Sequence, residues 1–216
     1  MMGITLFGVV LIFLSVGLNI QTAESCSCIQ QHPQHHFCTS QIVILGEITR
    51  ENEVVENEED FIRYEIKIIE EFKGFNKSKR IQYVYTNQDE GMCGITLEKR
   101  RYLLSGYLYK NDGIEVNLCN LVKQWDGLSL TKQENLKQTY KMGCNCTISR
   151  CSGRQCCSQS EKKCMWNKSP QSLEYACLED SDGICSWYRA GSKADEDAKC
   201  KPKGWSIFSF LKKIFV

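Results

Sequence analysis

The sequence predicts a mainly β fold with flanking helices. In this fold a closed or partly open barrel of five strands precedes a small, disulfide-rich C-terminal domain. The first observation is a set of short segments in which apolar and polar residues alternate, because that period belongs to half-buried strands. The second is the distribution of the 14 cysteines, six spread over residues 26–144 and eight crowded into 146–200. Wide spacing fits a domain with its own core, whereas dense spacing fits a small domain that depends on disulfides.

Five segments of the first region have the composition of strands. Residues 62–68 place an apolar side chain at every second position, residues 41–48 are a short apolar run, and the segments 81–86, 101–109 and 114–118 look similar. Asn111-Asp112-Gly113 separates the last two segments and is a hairpin-turn signal. Helices are expected near 33–40 and over 128–140, where Thr131 and Glu134 form a capping-box pattern.

An acidic segment separates the first two predicted strands. Residues 51–60 contain six acids and no base. The simpler interpretation is a solvated hairpin loop, since runs of like charge repel one another and stay in water. The alternative is an acidic loop that contacts a partner.

The N-terminus predicts a secreted protein. Residues 4–20 are almost wholly apolar, and small residues at Ala23 and Ser25 fit a signal-peptidase site before Cys26, although a basic leading segment is missing. A transmembrane anchor is the alternative, and the shortness of the run argues against it. Removing residues 1–25 takes away one acid, Glu24, which leaves 27 basic and 25 acidic residues and a net charge of +2. That balance argues against a nucleic-acid partner.

All the cysteines follow residue 25, and an even number behind a signal peptide indicates a disulfide framework. Zinc binding through the pairs Cys26/Cys28 and Cys144/Cys146 is the alternative, and an oxidising compartment disfavours it. His32, His35 and His36 are expected to be structural or surface residues. The chain contains no HExxH, GxSxG or P-loop pattern, so we predict that it is not an enzyme.

Three sequons mark candidate glycosylation sites. Asn76 and Asn145 are the stronger candidates, since Pro170 follows the sequon at Asn167. Asn145 lies between two cysteines, where we expect poor access.

Several motifs occur in one order along residues 26–191. They are Cys26-Ser27-Cys28, His32-Pro33-Gln34, Phe37-Cys38, Tyr64-Glu65-Ile66-Lys67, Phe72-Lys73-Gly74, Cys93-Gly94, Trp125-Asp126, Leu128-Ser129, Tyr140-Lys141-Met142-Gly143-Cys144-Asn145-Cys146, Ser181-Asp182-Gly183 and Cys185-Ser186-Trp187-Tyr188-Arg189. With them, the chain resembles the tissue inhibitors of metalloproteinases. An opening C-x-C alone is a weak signal, but a C-x-C at a predicted cleavage site with twelve cysteines in the family's order is a strong one.

The resemblance implies a netrin-like, OB-like barrel at 26–144, a C-terminal domain at 145–200 and a tail at 201–216. It also implies six disulfides: Cys26–Cys93, Cys28–Cys119, Cys38–Cys144, Cys146–Cys185, Cys151–Cys156 and Cys164–Cys177. Cys157 and Cys200 are additional to the family pattern. We expect them to pair with each other, because adjacent Cys156 and Cys157 could bond only through a strained link; a free or intermolecular thiol is the alternative.

The resemblance further implies a secreted inhibitor of zinc metalloproteinases of the matrix type, with no cofactor of its own. The free amine and carbonyl of Cys26 are expected to chelate the partner's catalytic zinc. The protease-contacting residues are then Cys26, Ser27, Cys28, Ile29, Glu90, Gly91 and Met92. The alternatives are a netrin-like module without inhibitory activity, which would carry residues before its first cysteine, and a disulfide-rich signalling ligand.

The tail has the pattern of an interfacial amphipathic helix. Residues 199–216 contain five lysines and no acid. If 205–216 is helical, the apolar residues fall on one arc and the polar ones, with Lys212 and Lys213, on the opposite arc. The simpler interpretation is a frayed tail or a helix packed on the C-terminal domain; the alternative is a tail that binds matrix glycans or a membrane surface.

Overall fold

The computed structural model describes residues 26–56, 59–74, 81–151, 162–167 and 173–189. The predicted signal peptide, Asn76, the Cys157–Cys200 pair and the tail at 201–216 lie outside these residues. The strands are β1 (Ile42–Glu56), β2 (Glu59–Lys73), β3 (Tyr83–Asn87), β4 (Arg101–Tyr109), β5 (Gly113–Glu115), β6 (Val122–Gln124), β7 (Thr147–Arg150), β8 (Lys163–Trp166), β9 (Tyr175–Glu179) and β10 (Cys185–Arg189).

The first five strands close into a barrel, which confirms the predicted fold. Neighbours follow the order β1-β2-β3-β5-β4, and an additional pairing of β1 with β4 closes the ring. All of these pairings are antiparallel except the parallel one between β3 and β5. A further strand that the sequence did not predict, β6, extends the edge of β4 beyond β5. Its three residues are too few to show a period.

Two apolar clusters lie on opposite sides of β1 and β4. Ile44 and Leu104 point into the barrel, whereas Val43, Leu45 and Leu103 point outward, under the helices. All of these side chains are at most 3% exposed. Burial on both faces explains why 41–48 and 101–109 are continuous apolar runs and do not alternate.

The predicted loop at 51–60 is wrong, because most of this segment is strand. β1 continues to Glu56 and β2 starts at Glu59, and these two residues are paired. Exposed Glu51 and Glu53 alternate with half-buried Asn52 and Val54, so the charges fit the solvent face of a ribbon. A strand can therefore carry this run of acids, because every second side chain faces solvent. Partner contact by this acidic ribbon stays a prediction.

Two helical segments cover the outer cluster. Helix α1 (Pro33–Thr39) is capped by His32, whose Nδ1 accepts a hydrogen bond from the Gln34 N–H at 3.2 Å. At its other end, the Lys73 ammonium donates to the carbonyls of Phe37 and Cys38 at 3.0 and 2.6 Å. A cation at this end also complements the helix dipole.

The second helical segment begins as α2 (Leu130–Glu134) and continues as a π turn, Asn135–Thr139, and a 3₁₀ turn, Tyr140–Gly143. Its N-cap is Ser129, whose hydroxyl accepts from the Lys132 N–H at 3.3 Å. The predicted capping box at Thr131 is therefore wrong. Ser129 takes the capping position two residues earlier, and Thr131 lies inside the first turn.

The later residues form two short sheets, parallel β7–β8 and antiparallel β9–β10. Disulfides Cys146–Cys185 and Cys164–Cys177 lie in their core, against Trp166. A small core of this kind depends on its cross-links. Within the described ranges, no helix is long and apolar enough to cross a membrane.

Candidate functional site

Two disulfides bring three separate segments together at the start of the described chain. Cys26 bonds to Cys93 and Cys28 bonds to Cys119, with Cα–Cα distances of 5.1 and 5.2 Å. The four sulfur atoms lie within 4.8 Å of one another. We call this surface, made of residues 26–29, 90–93 and 117–119, the N-terminal ridge.

The 90–93 part of the ridge is fixed by hydrogen bonds within its own loop. The Asp89 carboxylate accepts from the Gly91 N–H at 2.8 Å and caps the 3₁₀ turn Glu90–Met92. The Asp89 carbonyl accepts from the N–H groups of Met92 and Gly94, at 3.0 and 3.1 Å. Cys93 ends the turn in the left-handed region, at φ 64°. An ordered backbone is thus in place before any partner binds.

Gly94 lets this loop fold back on the strand that precedes it. A Cβ at this position would overlap the backbone carbonyl of Asn87, which is rigid strand backbone. Glycine is the residue that permits such a close approach of two backbones. The Cys93-Gly94 motif therefore reflects a steric requirement of the ridge.

The 117–119 part of the ridge contains Leu118, which the sequence did not identify as a contact residue. The Leu118 N–H donates to the Cys93 carbonyl at 2.9 Å and so ties the two loops together. Asn117 and Asn120 fix the turn through their side chains, since the Asn117 amide oxygen accepts from Cys119 N–H at 2.9 Å and the Asn120 oxygen accepts from Asn117 N–H at 2.8 Å. Leu118 is 53% exposed. A leucine next to a cysteine carried no signal in the sequence.

Barrel hydroxyl groups support the loop that follows the ridge. The Tyr64 hydroxyl accepts from the Leu97 N–H at 3.1 Å, and the Thr86 hydroxyl accepts from the Ile95 N–H at 3.1 Å. Burial raises the pKa of Tyr64, so this phenol stays neutral over the physiological range. Residues 95–97 are not in a strand, so the two hydroxyl groups give the Ile95 and Leu97 N–H groups the hydrogen-bond acceptors that a neighbouring strand would otherwise provide.

The ridge presents a row of exposed side chains above half-buried cysteines. Ser27 is exposed, and Ile29 and Met92 are 71% and 62% exposed. Beside Cys26, an open groove of about 990 Å³ runs between residues 89–92 and Tyr102. Exposed apolar groups around a rigid backbone are typical of a surface that binds a protein.

The structure brings all the predicted contact residues to this one ridge: Cys26, Ser27, Cys28, Ile29, Glu90, Gly91 and Met92. The histidines lie elsewhere. His32 is fully buried among the rings of Tyr140, Trp166 and Trp187. Burial, followed by the fields of His35 and Lys123, lowers the pKa of His36 to about 4.

The alternative of zinc sites at Cys26/Cys28 and Cys144/Cys146 is wrong, because all four cysteines are in disulfides. Cys38–Cys144 joins α1 to the end of the second helical segment. The five described disulfides are pairs that the resemblance implied. Cys151 is also disulfide-bonded, and its expected partner, Cys156, lies outside the described residues. Asn145 is exposed in spite of its cysteine neighbours.

Comparison with known proteins gives a consistent result. The family model of the tissue inhibitor of metalloproteinase matches residues 24–187. The chain is 40% identical to metalloproteinase inhibitor 4 of Mus musculus over 182 residues, 77% of this chain and 81% of that protein. It is 34% identical to metalloproteinase inhibitor 3 of Xenopus laevis over 201 residues, 88% of this chain and 92% of that protein. It is 33% identical to metalloproteinase inhibitor 3 of Gallus gallus over 200 residues, 88% and 94% of the two chains.

Proposed function

Because the chain belongs to the tissue inhibitors of metalloproteinases, we propose that it inhibits zinc metalloproteinases through the N-terminal ridge. In this proposal Cys26 is the first residue of a secreted chain and the ligand of the partner's catalytic zinc. The observation that carries it is the position of Cys26, at the edge of an open groove and cross-linked to a rigid loop.

The chemistry follows from the coordination of the partner's zinc. A catalytic zinc has three protein ligands and an open position that holds water. The α-amine and carbonyl oxygen of one residue can fill this position together and close a five-membered chelate ring. An α-amine has an ordinary pKa of about 7.7–8.0, so a fraction is neutral near pH 7, and metal binding favours that form further. Only cleavage directly before Cys26 frees this amine.

Rigidity of the ridge supports tight binding. Fixing one flexible residue costs about 1–2 kcal/mol of backbone entropy. Two disulfides and the hydrogen bonds around Asp89 and Leu118 fix the ridge during folding, so little of this cost remains at binding. Preorganisation of this kind increases affinity without adding contacts.

The exposed side chains around Cys26 suggest how the partner's cleft is filled. Ser27 follows the zinc ligand and would enter the first primed pocket, which a small hydroxyl leaves underfilled; this favours breadth over selectivity. Ile29 would continue along the primed side, and residues 90–92 would occupy the unprimed side. Leu118, tied to Cys93, would widen the contact at the centre.

N-terminal sequencing of the secreted protein, combined with titration of an active matrix metalloproteinase, tests the proposal. We expect Cys26 as the first residue and inhibition at a ratio of one to one. Residues retained before Cys26, with no inhibition, would favour the netrin-like module without inhibitory activity. A folded chain that begins at Cys26 has both the free amine and the ridge. If such a chain fails to inhibit, the proposal is contradicted.

A further inference from the structure

A second cavity, of about 570 Å³, lies behind the ridge and adjoins the groove beside Cys26, with which it shares Leu118, Asn120 and Lys123. Residues 28–31 form one wall, and the other is formed by Leu128, which lies just before the second helical segment, and by Leu136 and Tyr140 within it. Leu103 and Leu121 form the floor and are at most 5% exposed. The volume falls within the range of about 300–1,000 Å³ that is usual for small-molecule sites.

The charges at the rim are of one sign. The lining residues that the structure describes include Lys123, Lys132 and His36, and no aspartate or glutamate. Lys132 pairs with Glu174 at 3.1 Å, so its charge is already matched. Burial keeps His36 neutral near pH 7, since its pKa is lowered to about 4. Lys123 is exposed and makes no ion pair with another described residue.

An apolar cavity with one unmatched cation at its rim suits a ligand with an apolar chain and one negative charge. We propose that this cavity binds a long-chain carboxylate, with its chain among the leucines and its carboxylate at Lys123. The lysine-rich segment at 199–216 is a poor occupant by comparison, because its charges would meet Lys123 with the same sign. This binding does not depend on the proposed inhibition of proteases.

Dodecanoate, kept below its micelle concentration, is a suitable probe of the full chain that begins at Cys26. We expect one saturable site by calorimetry. Methyl signals of Leu121, Leu128 and Ile29 should shift, and those of Val84 and Ile114 inside the barrel should not. Decanoate should bind about tenfold more weakly, since two methylenes fewer are buried. Binding without saturation, or without dependence on chain length, would overturn the proposal.

Two variants separate the charge from the cavity. Lys123→Gln should weaken dodecanoate binding about two- to fivefold, as for an exposed ion pair, and leave the binding of uncharged dodecanol unchanged. Leu128→Trp should fill the entrance and abolish the binding of both ligands. A methyl spectrum shows whether Leu128→Trp is folded. If it is not, the comparison of Lys123→Gln with the wild type tests the proposal.

Two control variants identify binding at other lysines. Lys99→Gln removes an exposed lysine outside the cavity, and the double change Lys212→Gln with Lys213→Gln removes charge from the tail. Both proteins should bind dodecanoate as the wild type does. Loss of binding in either control, or equal binding by the wild type and Lys123→Gln, would place the ligand elsewhere and overturn the assignment.

Discussion

The side-chain amide of Gln34 forms two hydrogen bonds with the backbone of Cys177, each 2.7 Å long. Its oxygen accepts from the Cys177 N–H and its nitrogen donates to the Cys177 carbonyl. The nitrogen also donates to the Gly143 carbonyl at 3.1 Å. Gln34 is 1% exposed, on α1 beside the barrel, whereas Cys177 is on β9. One side chain thus completes the edge of a strand in the other part of the molecule.

Replacing Gln34 with leucine should destabilise the protein by about 2–4 kcal/mol. The change preserves much of the volume but leaves the Cys177 N–H and carbonyl without their side-chain partner, and such buried groups cost about 1–3 kcal/mol each. The Gly143 carbonyl keeps the hydrogen bond that it accepts from the Cys146 N–H at 3.1 Å. Denaturant unfolding of the two proteins measures the difference. Gln138→Leu, at an exposed position on the second helical segment, is the control and should have little effect. Equal stability of Gln34→Leu and wild type would show that the amide contributes nothing net.

Replacing Gly94 with alanine should disturb the ridge. The added methyl would overlap the Asn87 carbonyl and push residues 90–93 from their position, so we expect about 1–3 kcal/mol of lost stability and weaker inhibition. Gly127→Ala is the matched control, since a Cβ there meets nothing within 4 Å. If inhibition by the two variants is the same, the loop position has no part in binding.

Stability should fall in alkali because tyrosines are buried. Burial raises the pKa of Tyr140 well above its ordinary value, so the folded chain keeps a proton that the unfolded chain releases near pH 10. This contribution is complete below pH 10 and is lost above it, at up to about 1.4 kcal/mol per pH unit. Urea unfolding between pH 9 and 11 should show that the free energy of unfolding falls less steeply with pH in Tyr140→Phe than in the wild type. Tyr107→Phe, at a side chain 48% exposed, should retain the wild-type loss, and an unchanged slope in both variants would contradict the assignment.

The fragment 26–144 should inhibit a metalloproteinase by itself. It contains the ridge, the barrel and three closed disulfides. It lacks β9, so Gln34 loses its partner, and we expect a lower melting temperature than that of the full chain. Inhibition titrations and thermal unfolding measure the two effects. A folded fragment without activity would place the inhibitory surface elsewhere.

The sequence predicted the barrel because most of its strands are short apolar or alternating segments separated by turn signals. The alternation at 62–68 matches inward Tyr64 and Ile66, and the turn signal at 111–113 lies where β4 pairs back onto β5. The prediction of a loop for the acidic segment is wrong because six of its ten residues are acidic, and this excess of charge hides the alternation of exposed and half-buried positions. The pairing with β2, in which Val54 lies opposite Phe61 and Glu56 opposite Glu59, shows that a strand continues there.

The candidate site was predicted through the resemblance, not through periodicity. Contacts between distant positions could not be predicted from local pattern, and Leu118, Gln34 and Lys123 owe their roles to such contacts. Glutamine at 34 has no local feature that distinguishes it from an exposed residue; its burial depends on β9, more than a hundred positions later. The domain limits at 144 and 200 stay predictions.

The central claim is that a free amine on Cys26 binds the partner's zinc. Adding one alanine before Cys26 turns this amine into an amide and places a residue where the zinc would lie. Inhibition constants of the chain starting at Cys26 and of the extended chain against one matrix metalloproteinase test the claim. Methyl spectra establish that both are folded. We expect the extended chain to lose inhibition by at least about a hundredfold, because changing even an outer-shell partner of a metal ligand costs about 10–100-fold in affinity. Equal inhibition by a folded, extended chain would contradict zinc chelation by Cys26.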